Sequence, residues 1–154
     1  MKITEAIALH FYEVNYGGNW TDANVKDSLT GISWQQARLS PGGANSIAVL
    51  LYHMQFYNDV ISDRLKGEKK DASHESSFEV SINNEGDWLA IQENYFRSAD
   101  NLHQQMLSLD EQYLFKKIAH SDSTIYKSLH GVIEHIHYHL GQINLLKKLA
   151  ASTA

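Results

Sequence analysis

Histidine is the residue type that first suggests chemistry in this chain, because nine of the 154 residues are histidines. Four of them fall in the stretch from 130 to 139. Within that stretch, His135 and His139 are four positions apart, which on a helix places them one turn apart on the same face. Two imidazoles in this arrangement can bind one metal ion, with about 2.0–2.1 Å between the ion and each nitrogen. The spacing therefore predicts a candidate metal site on a helix.

The direction in which these side chains point is a sharper test than their spacing, since nine histidines in a chain of this length give about 0.5 such pairs by chance. On a helix that turns about 100° per residue, His139 lies about 50° and His135 about 90° from the centre of the apolar stripe, on one flank. His53 lies about 80–90° from the centre of the stripe of an earlier segment. All three border the predicted interior, where helical bundles build their metal sites.

The donor set limits the chemistry that such a site can support. Three neutral imidazoles without a carboxylate leave a divalent ion with one open coordination position, where the ion would acidify a bound water toward neutral pH. The all-nitrogen donor set allows zinc, nickel, cobalt or iron(II), and geometry and supply decide among these ions. The chain contains no cysteine, which excludes thiolate zinc sites, iron–sulfur clusters, disulfides and a cysteine nucleophile.

Four long amphipathic segments are available to position these residues. Their apolar residues recur at helical spacing over about 3–14, 45–66, 87–109 and 123–149. Such a pattern predicts an all-α fold, specifically a four-helix bundle with short extra helices.

Shorter elements connect the four segments. Two helical pieces end near Leu29 and Leu39, and their candidate N-caps are Thr21-Asp22 and Ser33. A polar stretch over 67–87 is interpreted as a loop, with a short extended strand over 78–82 as an option. One further short element is expected over 111–118.

Composition sets the remaining expectations. A chain of 154 residues is the size of a single domain, here 1–154. Its net charge of −5 implies no basic face, so neither nucleic acid nor an anionic membrane is an expected partner. No signal-peptide layout is visible, and the longest apolar run, 47–51, is far shorter than the roughly 20 residues of a membrane helix. A cytoplasmic location is the resulting interpretation.

Four short motifs are spread along the chain: Trp34-Gln-Gln-Ala37, Pro41-Gly-Gly-Ala-Asn-Ser46, Tyr52-His53-Met54 and His135-xxx-His139-x-Gly141-Gln142. Together they resemble the DinB-like superfamily of metal-dependent hydrolases, also called YfiT-like. The resemblance covers nearly the whole chain, and the opening Tyr16-Gly-Gly-Asn-Trp20 is similar to a small uncharacterised subgroup.

The resemblance implies a four-helix bundle in which one histidine of the second helix and two of the last hold a metal ion. Residue by residue, these ligands correspond to His53, His135 and His139. It also implies a homodimer. Some members of the superfamily resemble transferases and isomerases that depend on a low-molecular-weight thiol, mycothiol or bacillithiol.

Two further residues are candidates for a role beside the ion. Gln142 lies one turn beyond His139, where it could hold a metal-bound water or orient a ligand ring. Tyr57 lies one turn after His53 and could line the site. Glu134 points away from the histidine pair, so no residue is assigned as a general base. The sequence also lacks the His-Glu-x-x-His motif of zinc proteases and the Walker, dinucleotide-binding and nucleophile-elbow motifs.

Two functional hypotheses remain open at this point. In the first, the protein is an enzyme whose metal ion activates water or a thiol cofactor for hydrolysis or transfer on a small-molecule substrate. In the second, it is a non-catalytic, metal-stabilised dimeric bundle that acts as a stress-response binding module, and the metal contributes only to folding. A third, weaker hypothesis treats the histidine cluster as adventitious, in a protein that associates through its helix faces.

Overall fold

Helices form all the regular secondary structure in the computed structural model, which describes residues 1–69 and 73–152. Three short 3-10 turns accompany six α-helices in these ranges, at Pro41–Gly43, Glu75–Phe78 and Glu111–Tyr113. The α-helices are α1 (Ile3–Tyr16), α2 (Val25–Leu29), α3 (Trp34–Ala37), α4 (Ile47–Leu65), α5 (Glu85–Ser108) and α6 (Ile125–Ser152). The all-α prediction is therefore confirmed for the described part of the chain.

The four long helices share one hydrophobic core. Helix α4 packs against α5 and α6, and α1 packs against the same two helices. Each large apolar side chain removed from water there contributes about 1.5–3 kcal/mol. Among the largest fully buried side chains are Phe11, Ile47, Leu51, Met54, Trp88, Tyr95, Leu102, Met106, Leu129 and Ile136. No helix within the described residues is both long and apolar enough to cross a membrane.

Side-chain caps set where the long helices α4 and α5 begin. The Ser46 hydroxyl accepts a hydrogen bond from the backbone N–H of Val49 at 3.2 Å, and α4 starts at the next residue. The Asn84 side chain accepts from the N–H of Asp87 at 3.0 Å and starts α5 in the same way. Both bonds satisfy backbone donors that have no partner within the helix. The predicted starts of these helices, near 45 and 87, are correct to within two residues.

The first short helix begins later than predicted. Asn24, and not Thr21-Asp22, caps α2, because its side chain accepts from the N–H of Asp27 at 2.9 Å. The Thr21 hydroxyl instead donates to Asn19 Oδ1 at 2.6 Å. Asp22 has a φ of 56°, a left-handed conformation that cannot open a right-handed helix. The second short helix is capped by Ser33 as predicted.

The described part of the polar stretch 67–87 that precedes α5 is a loop with a 3-10 turn. The alternative prediction of an extended strand over 78–82 is wrong. Phe78 ends the turn Glu75–Phe78, and the described residues that follow form no strand. Helix α5 begins at Glu85, so the loop is slightly shorter than predicted. Residues 70–72 of this stretch lie outside the described residues. The predicted element over 111–118 is the turn Glu111–Tyr113 and an isolated bridge between Lys117 and Thr124.

One buried polar contact joins α1 to α5 across the core. The Tyr95 hydroxyl donates to Asn15 Oδ1 at 2.6 Å, and both side chains are fully buried. The Asn15 amide in turn donates to the Phe11 carbonyl at 2.8 Å. A buried acceptor that loses its donor cannot recover a bond from water.

We therefore expect Tyr95→Phe to lower the free energy of unfolding by about 1–3 kcal/mol, because Asn15 Oδ1 would be left without its donor. Urea denaturation followed by circular dichroism measures the change. Tyr126→Phe, at an exposed position on α6, is the matched control and should change stability by less than about 0.5 kcal/mol. Equal effects of the two substitutions would contradict this account of the buried contact.

Candidate metal centre

Three histidines from two helices meet at the interface of α4 and α6. His53 comes from the middle of α4, and His135 and His139 come from successive turns of α6. Each offers one ring nitrogen, and these three nitrogens all lie within 4.8 Å of one another. His53 is 3 % exposed and His139 is 7 % exposed, while His135 is half-buried. The three residues that spacing and resemblance selected are thus brought together by the fold.

The distances are close to those of a shared ion. His135 Nε2 and His139 Nε2 are 3.0 Å apart, within the range of about 2.9–3.4 Å for two ligands of one zinc-sized ion. All three nitrogens lie within 4.8 Å of one another, so the largest separation must shorten by up to about 1.4 Å to reach this range, which requires side-chain rotations.

Ser77 fixes the ring of His53 and determines its tautomer. The Ser77 hydroxyl donates its single proton to the His74 carbonyl at 2.5 Å. The same oxygen lies 2.7 Å from His53 Nδ1, and it must accept this second bond because its proton is already engaged. His53 is therefore protonated at Nδ1, which leaves a lone pair on Nε2, the nitrogen available to an ion.

Gln142 holds His139 in the same way from within α6. Its side-chain oxygen Oε1, which can only accept, lies 2.6 Å from His139 Nδ1. His139 therefore donates from Nδ1 and carries its lone pair on Nε2. His135 has no such anchor, since its Nδ1 is buried without a hydrogen-bond partner among the described residues. It is the ring whose orientation is least constrained by the protein.

All three imidazoles are neutral at pH 7. Burial lowers the pKa of His53 to about 4 and that of His135 to about 3, and the neighbouring imidazoles add to the effect. Burial also lowers the pKa of His139, against the opposing effect of its bond to Gln142. Removal from water disfavours the charged imidazolium. The neutral form is the one that binds a metal ion.

The donor set could therefore hold a divalent metal ion. His53 and His139 turn unprotonated Nε2 atoms inward, and His139 Nε2 faces His135 Nε2 at hydrogen-bond distance. No carboxylate of the described residues joins this group of ligands. A set of three nitrogen donors matches the composition of zinc sites that keep one coordination position open. The residues present thus fit the ion that the sequence predicted.

A histidine–tyrosine pair lies directly beside the three ligands. The Tyr57 ring centroid is 4.9 Å from that of His135 and 5.1 Å from that of His53. Its hydroxyl is 2.6 Å from His74 Nδ1, and burial raises the pKa of Tyr57, which keeps the hydroxyl protonated. We assign the hydroxyl as the donor in this bond and His74 Nδ1 as the acceptor. Both predicted neighbours of the site, Tyr57 and Gln142, contact its histidines.

The loop before α5 contributes residues that the sequence did not identify. Ser77 binds His53 as described, and the Phe78 ring stacks on the His53 ring with centroids 4.1 Å apart. His74 brings its ring centroid to 5.7 Å from that of His53. These residues occupy a polar stretch without periodicity, so no pattern in the sequence connects them to α4. The presence of a histidine among serines over 73–77 is the single compositional signal that could have drawn attention to the segment.

The remaining residues near the cluster are placed largely as predicted. Glu134 is exposed, in agreement with the prediction that it points away from the histidine pair. The other two histidines of the stretch 130–139, His130 and His137, are both half-buried. His137 packs near the His10 ring, with centroids 5.9 Å apart, and takes no part in the cluster. A surface pocket of about 320 Å³ adjoins His135, between Tyr57 of α4 and Lys127 of α6.

Comparison with known proteins gives one match. The model of a family described as "Protein of unknown function (DUF1572)" matches residues 19–153, which include all three histidines of the cluster. No curated protein and no solved structure matches the chain.

The serine anchor leads to a direct test at the site. We expect Ser77→Ala to weaken zinc binding about 10–100-fold, because His53 would lose the bond that fixes its tautomer and its orientation. Competition titration of zinc against a chromophoric chelator measures the affinity. The control is Ser81→Ala, which changes an exposed serine of the same loop and should leave zinc affinity unchanged. Zinc affinity that is equal in the two variants would contradict the proposed role of Ser77.

Proposed function

The chain belongs to the DUF1572 family, whose description assigns no function, and we propose from its site that the protein is a metal-dependent enzyme. The observation that carries this proposal is the convergence of three neutral imidazoles from α4 and α6, two buried and one half-buried, with no carboxylate of the described residues among them. His53, His135 and His139 are the proposed metal ligands, and zinc or nickel is the proposed ion. Burying polar groups without partners costs free energy, and a bound ion would give these imidazoles a partner.

We further propose that the chain is a single DinB-like domain with a four-helix bundle fold. Four observations support this placement: the helical fold, the packing of α1 and α4 against the same two helices, the motifs in the sequence, and a histidine triad divided between α4 and α6. The resemblance to the superfamily also underlies the proposal that the protein forms a homodimer.

When bound, the ion would acidify a water or thiol that occupies its open coordination position. The protein's own residues prepare the site for this chemistry. Ser77 and Gln142 hold two ligand rings in the tautomer that binds an ion. The Tyr57 hydroxyl and His74 Nδ1, joined by a 2.6 Å bond, form the proton-donating and proton-accepting pair nearest to the ligands.

The substrate is proposed to be a small molecule. The pockets beside the centre have volumes of about 320 Å³ near His135 and about 260 Å³ near His74. Volumes of this size suit metabolite-sized ligands. The nucleophile is either water or an external thiol, because the chain contains no cysteine of its own.

A metal site with a purely structural role is the second candidate function. It is favoured by the near-complete burial of His53 and His139 and by the stacking of Phe78 on His53, which limit access to two of the three ligands. In this case the ion would link α4 to α6, and its binding energy would add to the folding energy. Accessibility of the bound ion to external ligands distinguishes the two functions.

We expect the protein, purified without an affinity tag, to contain about one divalent ion per chain. His53→Ala should lose most of this metal, because the triad would be reduced to the two ligands of α6. Elemental analysis measures the content, and circular dichroism establishes that the variant stays helical. His130→Ala, at a half-buried histidine of α6 outside the cluster, is the control. Full metal occupancy in His53→Ala would contradict the ligand assignment.

The thiol-dependent form of the enzyme has its own test. In cobalt-substituted protein, 2-mercaptoethanol should change the visible spectrum, because a thiolate would occupy the open position of the ion. Ethylene glycol, which lacks the sulfur, is the control and should leave the spectrum unchanged. An unchanged spectrum at saturating thiol would rule out this form of the mechanism and would favour the structural role.

A further inference from the structure

A pocket of about 260 Å³ lies next to the metal centre, at the C-terminal end of α4. Three of its residues, Phe56, Tyr57 and Val60, belong to the body of α4, and Arg64 belongs to its last turn. Lys69 follows the helix, and two loop histidines complete the wall: His74 precedes the turn Glu75–Phe78, and His120 precedes α6. Four separate segments of the chain thus converge on a small volume.

The charge of this wall is the opposite of that of the protein. The chain has a net charge of −5, yet the pocket is lined by a guanidinium, an ammonium and two imidazoles. None of its described lining residues carries a carboxylate, although the exposed Glu75 lies close enough to Tyr57 and His74 to interact electrostatically with both. The nearby ion pair of Asp63 joins Lys66 and does not involve Arg64. A concave surface of one sign with partly apolar walls concentrates ligands of the opposite charge.

The hydrogen bonds of the two histidines leave donors for an anion. His74 accepts from the Tyr57 hydroxyl at Nδ1, so its proton is on Nε2 and is free to be donated. His120 donates from Nε2 to the Gly67 carbonyl at 3.2 Å. This bond ties the loop before α6 to the segment between Arg64 and Lys69, and so holds the two cationic residues against the same volume.

The pocket and the metal centre share a wall. His74 and Tyr57 line the pocket, and their rings also face the ligand His53, with centroids 5.7 Å and 5.1 Å from its ring. One small molecule could therefore reach from the three-histidine centre to the cationic residues. The pocket beside His135 differs in character, since it has Lys127 as its one cationic lining residue and otherwise mainly apolar and hydroxyl groups.

We propose that the pocket formed by Tyr57, Val60, Arg64, Lys69, His74 and His120 binds the oxyanion, a carboxylate or a phosphate, of the small molecule on which the metal centre acts. The part of this inference that concerns the substrate rests on the proposed enzymatic function. Arg64 supplies a planar set of donors that suits a carboxylate or phosphate. Lys69 adds a second positive charge, and His74 Nε2 adds a neutral donor on the side of the metal centre. The substrate class is therefore an anionic metabolite that carries its charged group a short distance from the reacting atom.

The test is a titration with inorganic phosphate and, separately, with acetate, followed by two-dimensional NMR of the backbone amides. It is carried out on zinc-loaded protein and on metal-free protein, so that an anion bound to the ion is distinguished from one bound in the pocket. We expect saturable shifts at Gly67, Lys69 and His120 in both forms. Phosphate binding tighter than acetate binding identifies a phosphate group as the natural ligand, and the reverse order identifies a carboxylate.

Substitutions assign the binding to the pocket. Arg64→Gln should weaken phosphate binding about tenfold or more, because a charge-assisted hydrogen bond is lost. Lys69→Gln, outside α4, is the second variant and keeps the test valid if the first lowers stability. Lys127→Gln removes one cation from the neighbouring pocket and is the matched control, which should bind phosphate as the wild type does. Zinc affinity is measured in every variant and should stay unchanged.

The outcomes separate the inference from the proposed function. Loss of phosphate binding in Arg64→Gln and Lys69→Gln with zinc binding intact supports both. Phosphate binding that is absent, equal in all variants, or restricted to the zinc-loaded form overturns the pocket as an anion site. If wild-type protein binds phosphate in an Arg64-dependent manner but fails to bind zinc, the pocket stands and the metal-dependent function fails.

Discussion

The packing of α4 against α6 is the constraint on which the candidate site depends, because it removes three imidazoles from water at one place. In water each ring could take a proton, but burial lowers the pKa of His53 and His135 far below neutrality. The rings are therefore held neutral, and one nitrogen of each lies within 4.8 Å of the others. A neutral, buried nitrogen has few ways to recover the hydrogen bond that it lost from water. A metal ion at the point of convergence satisfies several such nitrogens at once.

Two different kinds of contact prepare the rings for this role. Gln142 is three residues from His139 on the same helix, so α6 alone brings the two together. Ser77 is 24 residues from His53, and its position depends on the loop before α5. The same loop places Phe78 on the His53 ring and places His74 between the metal centre and the cationic pocket. One segment of irregular structure thus orients His53, a proposed ligand, and lines the pocket that we propose to bind an oxyanion.

The sequence was most informative where a single helix determines the outcome. The helical periodicity located α1, α4, α5 and α6, and the wheel positions of His135 and His139 agree with their burial at the edge of the core. The pairing of His53 with them required the family resemblance in addition, because periodicity within one helix does not state which helices are neighbours. Ser77 and His74 were missed for the same reason: their contacts with α4 arise from tertiary packing of a loop without repeating pattern. The cap of α2 was misplaced because Thr21, a good capping residue in isolation, is bound to Asn19 instead.

The most direct test of the central claim is X-ray absorption spectroscopy at the zinc edge of the zinc-loaded protein. The account predicts three imidazole nitrogens at about 2.0–2.1 Å from the ion and one further light ligand that external thiol replaces by sulfur. A spectrum with fewer than three imidazoles, or with a fourth ligand that thiol does not displace, would contradict it. In the first case the three histidines would not form one site, and in the second the site would be closed to substrates.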